Sequence, residues 1–197
     1  NTSGVRQFGT YYGSNGYENA HCCVVDAPGN IYLSGETNSA TNTLIATVGS
    51  HQSTHGGGGS IDAYLVSFNS AGVRQWGTYY GGVGYDYAFT TQLDLSGNIY
   101  LGGSTGTNGG TVMATANGYQ PTWGGGTTDG YVVKFSPSGL RQWGTYYGGG
   151  QEESGNACVV DANFNVYFSG QTSTSTGTAI ASPSGHQPNY GGGVYDA

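Results

Sequence analysis

Few side chains in this sequence can do chemistry, and most of them recur at fixed spacing. Nine of the eleven acidic residues occupy three slots, each filled three times: Glu18/Asp86/Glu153, Asp26/Asp94/Asp161 and Asp62/Asp129/Asp196. Three of the four basic residues, Arg6, Arg74 and Arg141, also fall one per copy. Catalysis needs an asymmetric set of groups with distinct roles, whereas one equivalent group per copy is what a scaffold uses. These residues therefore read as structural: aspartates capping turns, and an arginine in each copy held at the same place on a nearby carboxylate or backbone carbonyl. The functional alternative is a ring of carboxylates holding Ca²⁺, which takes six or more oxygens. Glu36 and Glu152 are the only acidic residues outside the slots, and a hydrolase or lyase would have to draw on such a copy-specific group.

The histidines and cysteines are less regular. His51 and His186 stand where the middle copy has Tyr119, and His55 stands where the others have Trp123 and Tyr190. Exchange of His for Tyr and Trp at one slot points to aromatic packing rather than metal ligation, which needs converging histidines. His51 and His55 do form one local HxxxH. His21 precedes Cys22-Cys23 and has Phe89 and Asn156 as counterparts, which weakens a Cys–His nucleophile. Cys23 and Cys158 share a slot with Thr91, the mark of a small buried strand residue. An odd number of cysteines, two of them adjacent, defines no disulfide framework. No phosphate-binding loop or nucleophile elbow is present.

The elements that position these groups come from an internal repeat. Val5-Arg-Gln-Phe-Gly-Thr-Tyr-Tyr-Gly13 returns at Val73–Gly81 and at Leu140–Gly148, with the arginines 68 and then 67 residues apart. The extra residue lies in the glycine run 56–59. Asp26-Ala-Pro-Gly-Asn-Ile-Tyr32 likewise matches 94–100 and 161–167. In one copy, strands are expected near 87–94, 98–104, 129–135 and 140–147, with Ser96-Gly97-Asn98 and Ser136-Pro-Ser-Gly139 as turns. Residues 5–12 and 73–80 are expected as strands equivalent to 140–147. With 39 glycines the chain should contain essentially no helix. Four antiparallel strands joined by short hairpins make one β-propeller blade. The expected fold is all-β: three tandem four-stranded repeats of about 67 residues, with units 5–72, 73–139 and 140–197, the last incomplete.

The recurring WGTYYGG, the D-x-x-G-N-[IV]-Y hairpin, Gly118-Tyr119-Gln120 and the GGG-x-x-D-[AG] before the third strand resemble the SBBP-type β-propeller repeat family along essentially the whole chain. Their Tyr-Tyr-Gly-Gly form is most similar to Bacteroidota proteins. The resemblance implies a large secreted or surface protein of bacteria, and it carries over no catalytic residues.

A net charge of −7 with four basic residues disfavours nucleic acid and anionic membrane surfaces, and no apolar run is long enough for a membrane span. Antiparallel order puts the loops 13–18, 81–86 and 148–153 on one face with the long loops 37–61, 105–128 and 172–195. Recognition residues concentrate on long loops held by a rigid scaffold, so binding is expected there, through Tyr17, Tyr85, His51, His55, Tyr119, Trp123, His186 and Tyr190. The plainer reading is that these aromatics fold back over the sheet edges. Three copies cannot close a ring of four to eight blades, and the third copy stops where its third strand should begin. Expected partners are therefore further blades of a longer chain or identical neighbouring chains. The function this favours is a non-enzymatic extracellular scaffold or adhesin, set against a carbohydrate-binding module and, behind it, a hydrolase or lyase. No cofactor is expected outside the Ca²⁺ alternative.

Overall fold

The computed structural model describes residues 2–197, and among them there is no helix. Ten strands make three antiparallel sheets. The first sheet has the order β1 (Glu18–Val25), β2 (Ile31–Thr37), β3 (Asp62–Phe68), β4 (Arg74–Tyr80). The second repeats it with β5 (Asp86–Leu93), β6 (Ile99–Thr105), β7 (Asp129–Phe135) and β8 (Arg141–Tyr147). The third pairs β9 (Glu153–Val160) with β10 (Val166–Thr172), and a bridge from Thr172 to Asp196 repeats the Thr37–Asp62 and Thr105–Asp129 pairings. The strand limits fall within one residue of the sequence expectation, with one exception.

That exception is residues 5–12, which form no strand. A strand is a pairing, and in both complete sheets the WGTYY segment pairs with the strand before it. Residues 5–12 have no such neighbour among the described residues, and Tyr11 is fully exposed. Tyr12 nevertheless makes its repeat contacts. Its ring lies 5.3 Å from Tyr64 and 5.8 Å from Phe68, and its hydroxyl donates to the Ile45 carbonyl at 2.5 Å. Tyr80 does the same one copy later, 5.5 Å from Tyr131, 5.8 Å from Phe135 and 2.6 Å from Met113 O. Tyr147 donates to Ile180 O at 2.7 Å. The second tyrosine of each Tyr-Tyr pair is thus a staple into the following sheet, and the first holds the long loop of its own sheet: Tyr79 reaches Ala40 O at 3.2 Å and Tyr146 reaches Thr107 O at 3.0 Å.

The sheets pack face to face, β5 against β1, β2 and β3, and β9 against β5, β6 and β7. The main core between the first two sheets includes Tyr32, Leu65 and Tyr80 from one side and Ile99, Tyr131, Val133 and Phe135 from the other. A smaller cluster of Ile45, Tyr64, Val66, Phe68 and Tyr79 covers the other face of the first sheet. All of β3 is therefore buried, because alternate side chains serve different neighbours.

Every first strand carries a bulge at the same place, at His21, Phe89 and Asn156. The glycine across from it is a steric requirement. A Cβ on Gly35, Gly103 or Gly170 would overlap the carbonyl oxygen of Asn19, Tyr87 or Ser154. In the β1–β2 and β5–β6 turns Gly29 and Gly97 take positive φ (92° and 77°), and the third copy puts Phe164 there at φ 66°. That strains a non-glycine residue.

Candidate functional site

The slots that recur in sequence are consumed by the scaffold. Asp26, Asp94 and Asp161 each cap their hairpin, accepting the backbone and side-chain N–H of Asn30, Asn98 or Asn165 at 2.7–2.9 Å, and the tyrosine two residues on. Asp86 and Glu153 accept the N–H of Gly82 and Gly149 at 2.8 Å, and the threonine ending the facing strand. Glu18 does the same for Ser14 and Thr37. Arg74 and Arg141 behave alike, bonding backbone carbonyls, the second of the two expected kinds of partner, whereas Arg6 is exposed and makes no such bond among the described residues. Arg74 donates to Thr43 O and Leu44 O, and Arg141 to the equivalent Thr111 O and Val112 O. A guanidinium fork suits two adjacent carbonyls on one loop.

The third slot is different. Asp62 and Asp129 are wholly buried, and each accepts the N–H of the glycine run ahead of it on one oxygen (Gly56 at 2.6 Å, Gly124 at 2.7 Å). The other oxygen has no partner. Burial pushes both carboxyls up to about 7. Asp196 accepts from Gly191 in the same way and is only half-buried.

The loop residues divide into two groups. His51 is wedged between Tyr80 at 5.9 Å and Phe135 at 5.6 Å; burial, and then Arg141, lower it to about 4, so it is neutral at pH 7. His55 stands edge-on to Tyr79 at 5.6 Å, as Trp123 does to Tyr146 at 5.8 Å. Gly57 N–H donates to His55 Nδ1, which leaves the proton on Nε2, 3.7 Å from the unpartnered Asp62 oxygen. Tyr190 turns its hydroxyl back to Gly193 O at 3.3 Å. Tyr119 leans on Tyr147 at 6.3 Å yet is 76% exposed, and His186, Tyr17 and Tyr85 are also exposed. His51 and His55 also border an open groove of about 660 Å³ between the long loops of the first two sheets.

One constellation is unique to a single copy. The bulge in β1 turns His21 so that Nε2 meets Glu36, on the facing strand. Glu36 is buried and also accepts Tyr17 OH at 3.4 Å and Asn19 Nδ2 at 3.3 Å. Facing a carboxylate fixes the imidazole proton on Nε2 and leaves Nδ1 as the acceptor. His21 abuts Phe89 at 5.2 Å, and Phe89 stacks on Tyr87 at 5.7 Å with 7° between the rings. Burial first, then the Glu36 carboxylate and the Tyr85 and Tyr17 hydroxyls, raise the Tyr87 phenol. In the next copy Ser104 stands for Glu36 and bonds Ser154 at 2.7 Å, which reaches Asn156 at 3.2 Å. The arrangement offers a carboxylate–imidazole pair, an amide and three tyrosines around an aromatic platform.

Of the eight residues expected to bind, the structure brings Tyr17 and Tyr85 into this cluster and leaves the other six in the long loops. The partners that the sequence did not assign to binding are His21, Glu36, Asn19, Tyr87 and Phe89. Their signal was divergence at equivalent positions, His/Phe/Asn and Glu/Ser/Gln, in a chain where polar slots otherwise repeat. Cys23, expected buried, is exposed. Thr91 bonds Ser34 of the first sheet and Cys158 bonds Thr90 of the second, whereas no sheet packs on the Cys23 side among the described residues. Among those residues no three His, Cys, Asp or Glu side chains gather as a metal-holding group, and no helix is long and apolar enough to cross a membrane. No family model matches this chain, and no curated protein matches it either.

Proposed function

We propose that the three sheets are blades of a β-propeller of the SBBP-type repeat family and that the protein is a non-enzymatic scaffold or adhesin outside the cell. The observation that carries this reading is the division of labour among polar residues. The groups that recur in every copy are bonded inside the scaffold, and those that differ between copies gather at the loop side and along the first strands. A scaffold that varies its contacts on a fixed frame has this distribution; an enzyme built on the same frame would concentrate unspent acids and bases in one pocket. Large exposed side chains on the first and third sheets, Val25, Val159 and Tyr167 among them, support completion by further blades or by neighbouring chains. Light scattering on the isolated chain should show assembly or poor folding, and a stable 20 kDa monomer would refute that part. Turnover of any glycoside or polysaccharide, lost in both His21→Ala and Glu36→Ala, would overturn the non-enzymatic reading.

The stacked Tyr87–Phe89 pair beside Glu36 favours a second reading, carbohydrate recognition, since sugars present C–H faces to rings and hydroxyls to carboxylate and amide groups. A glycan array separates the two. Specific binding lost in Tyr87→Ala and Phe89→Ala would establish the lectin role, and a blank array leaves protein contacts as the scaffold's purpose.

A further inference from the structure

A groove of about 920 Å³ lies between the first two sheets on the side opposite the long loops, where the sequence promised only tight hairpins. Its walls are the β1–β2 turn with Asp26, the β5–β6 turn, and Trp76, whose indole N–H is fixed on Pro137 O at 3.1 Å. One row of side chains crosses the first sheet here: Tyr32 on β2, Ser67 on β3 and Trp76 on β4. The second sheet carries the same row in the same register as Tyr100, Lys134 and Trp143. The rings correspond too, with Tyr32 6.3 Å from Trp76 and Tyr100 6.0 Å from Trp143.

The rows differ at their centre. Lys134, the chain's only lysine, sets its ammonium 3.2 Å from Asp94 Oδ2 and 4.9 Å from the centroid of Tyr100. It is a carboxylate–ammonium pair with the cation over a ring face, an arrangement that favours amines over neutral groups. In the first sheet the carboxylate is Asp26, bonded to Asn30 and to the Tyr32 hydroxyl as Asp94 is to Asn98 and Tyr100. Ser67 stands at the lysine's place, and no basic side chain pairs with Asp26 among the described residues. Asp26, Tyr32, Ser67 and Trp76 all line the groove, with Asp26 and Trp76 half-exposed at its mouth and Tyr32 and Ser67 buried at its floor.

We propose that this groove binds a primary ammonium group on an unbranched aliphatic stem, its nitrogen on Asp26 Oδ2 beside the Tyr32 ring, in the place that Lys134 fills from within in the second sheet. The stem lies along Trp76, as lysine methylenes lie along apolar surface. Such a group comes from a lysine side chain of a partner protein or from a free diamine.

The test follows the Trp76 indole N–H and the Asn30 amides by NMR while the chain is titrated with Nα-acetyl-lysine amide, a short lysine-containing peptide, cadaverine and the Nε-acetylated lysine as control. Saturable shifts with the amines and none with the acetylated control are expected. Ser67→Lys fills the site with an internal ammonium and should abolish binding while the fold stays intact, and Asp26→Asn should weaken it at least tenfold. Asp161→Asn, at the equivalent cap outside the groove, should leave it unchanged. Tighter binding of the peptide assigns a protein partner, and equal binding of cadaverine assigns free amines; both support the site. Binding that survives Ser67→Lys, equal shifts with the acetylated control, or no saturable shift with any amine would overturn it.

Discussion

The first and second sheets share strand order, pairing register and a bulge at the same place in the first strand, so they form a natural internal experiment. They differ where a side chain has no bond to make to the frame. His21 faces Glu36 where the second sheet has Phe89 and Ser104; His51 is half-buried between rings where Tyr119 lies open; Ser67 stops short of Asp26 where Lys134 reaches Asp94. The difference teaches which contacts the fold demands. Turn caps, loop-holding arginines and tyrosine staples recur because they satisfy backbone groups that would otherwise be orphaned. The positions that vary satisfy no backbone, and there each copy can serve a partner of its own.

The largest effect should come from the staple between the sheets. Tyr80→Ala empties the space between Tyr131 and Phe135 and frees the Met113 carbonyl, at a cost of about 4 kcal/mol. Tyr12→Ala, on a side chain only half-buried, should cost clearly less in urea denaturation. Equal losses would mean that the segment 5–12 is held as firmly as β4.

Next comes the bulge. Gly103→Ala sets a methyl against the Tyr87 carbonyl and should cost about 3 kcal/mol. Gly35→Ala should match it if the two bulges are equivalent, and a much smaller loss at Gly35 would show that the first bulge relaxes.

The third test is pH. Asp62 and Asp129 bind their protons more tightly when folded, their carboxyls being raised by burial to about 7. Their contribution is complete below the ordinary carboxyl range and is lost as pH rises through about 7, by roughly 4 kcal/mol for each group. His51 works in the opposite direction. Burial lowers it to about 4, so the stability it contributes is present above its ordinary value and falls away as pH drops from about 6.5 to about 4. His51→Tyr, which installs the residue of the second copy, should therefore expose a melting temperature that falls as pH rises from 4 to 7. Adding Asp62→Asn and Asp129→Asn should reduce that fall, leaving the part carried by Asp86, which burial also raises. A flat profile in His51→Tyr alone would remove the buried-carboxyl account.

The smallest change is expected at Lys134→Ser, which copies the first sheet's row into the second. A partly exposed ion pair contributes little, so the loss should stay within about 1 kcal/mol.

Much of this was legible in the residues. The period, the strand limits and the aspartate caps are local or are repeated three times, and each repetition tests the others. The strand expected at 5–12 failed because sequence shows propensity, and a strand needs a partner in space. Which of carboxylate or carbonyl the arginines would meet was open in the residues, because nothing in sequence says which end of the long loop folds under them, and Arg6 lacks the contact that Arg74 and Arg141 make. Cys23 was misread for a similar reason: its slot is buried only where another sheet covers it.

The site was harder to see. His21 and Glu36 lie fifteen residues apart, and strand alternation alone does not predict that they meet. The bulge shifts the register by one residue and turns His21 toward Glu36. Likewise Ser67 and Lys134 differ visibly in the alignment of copies, but the meaning of that difference rests on Asp26, Tyr32 and Trp76 sharing one row across three strands. The sequence by itself determined the repeating frame, because hairpins, caps and alternation act over a few residues and recur. Only the tertiary structure decided where the copies differ to effect, because a bulge and a cross-strand row bring together residues whose proximity no local rule encodes.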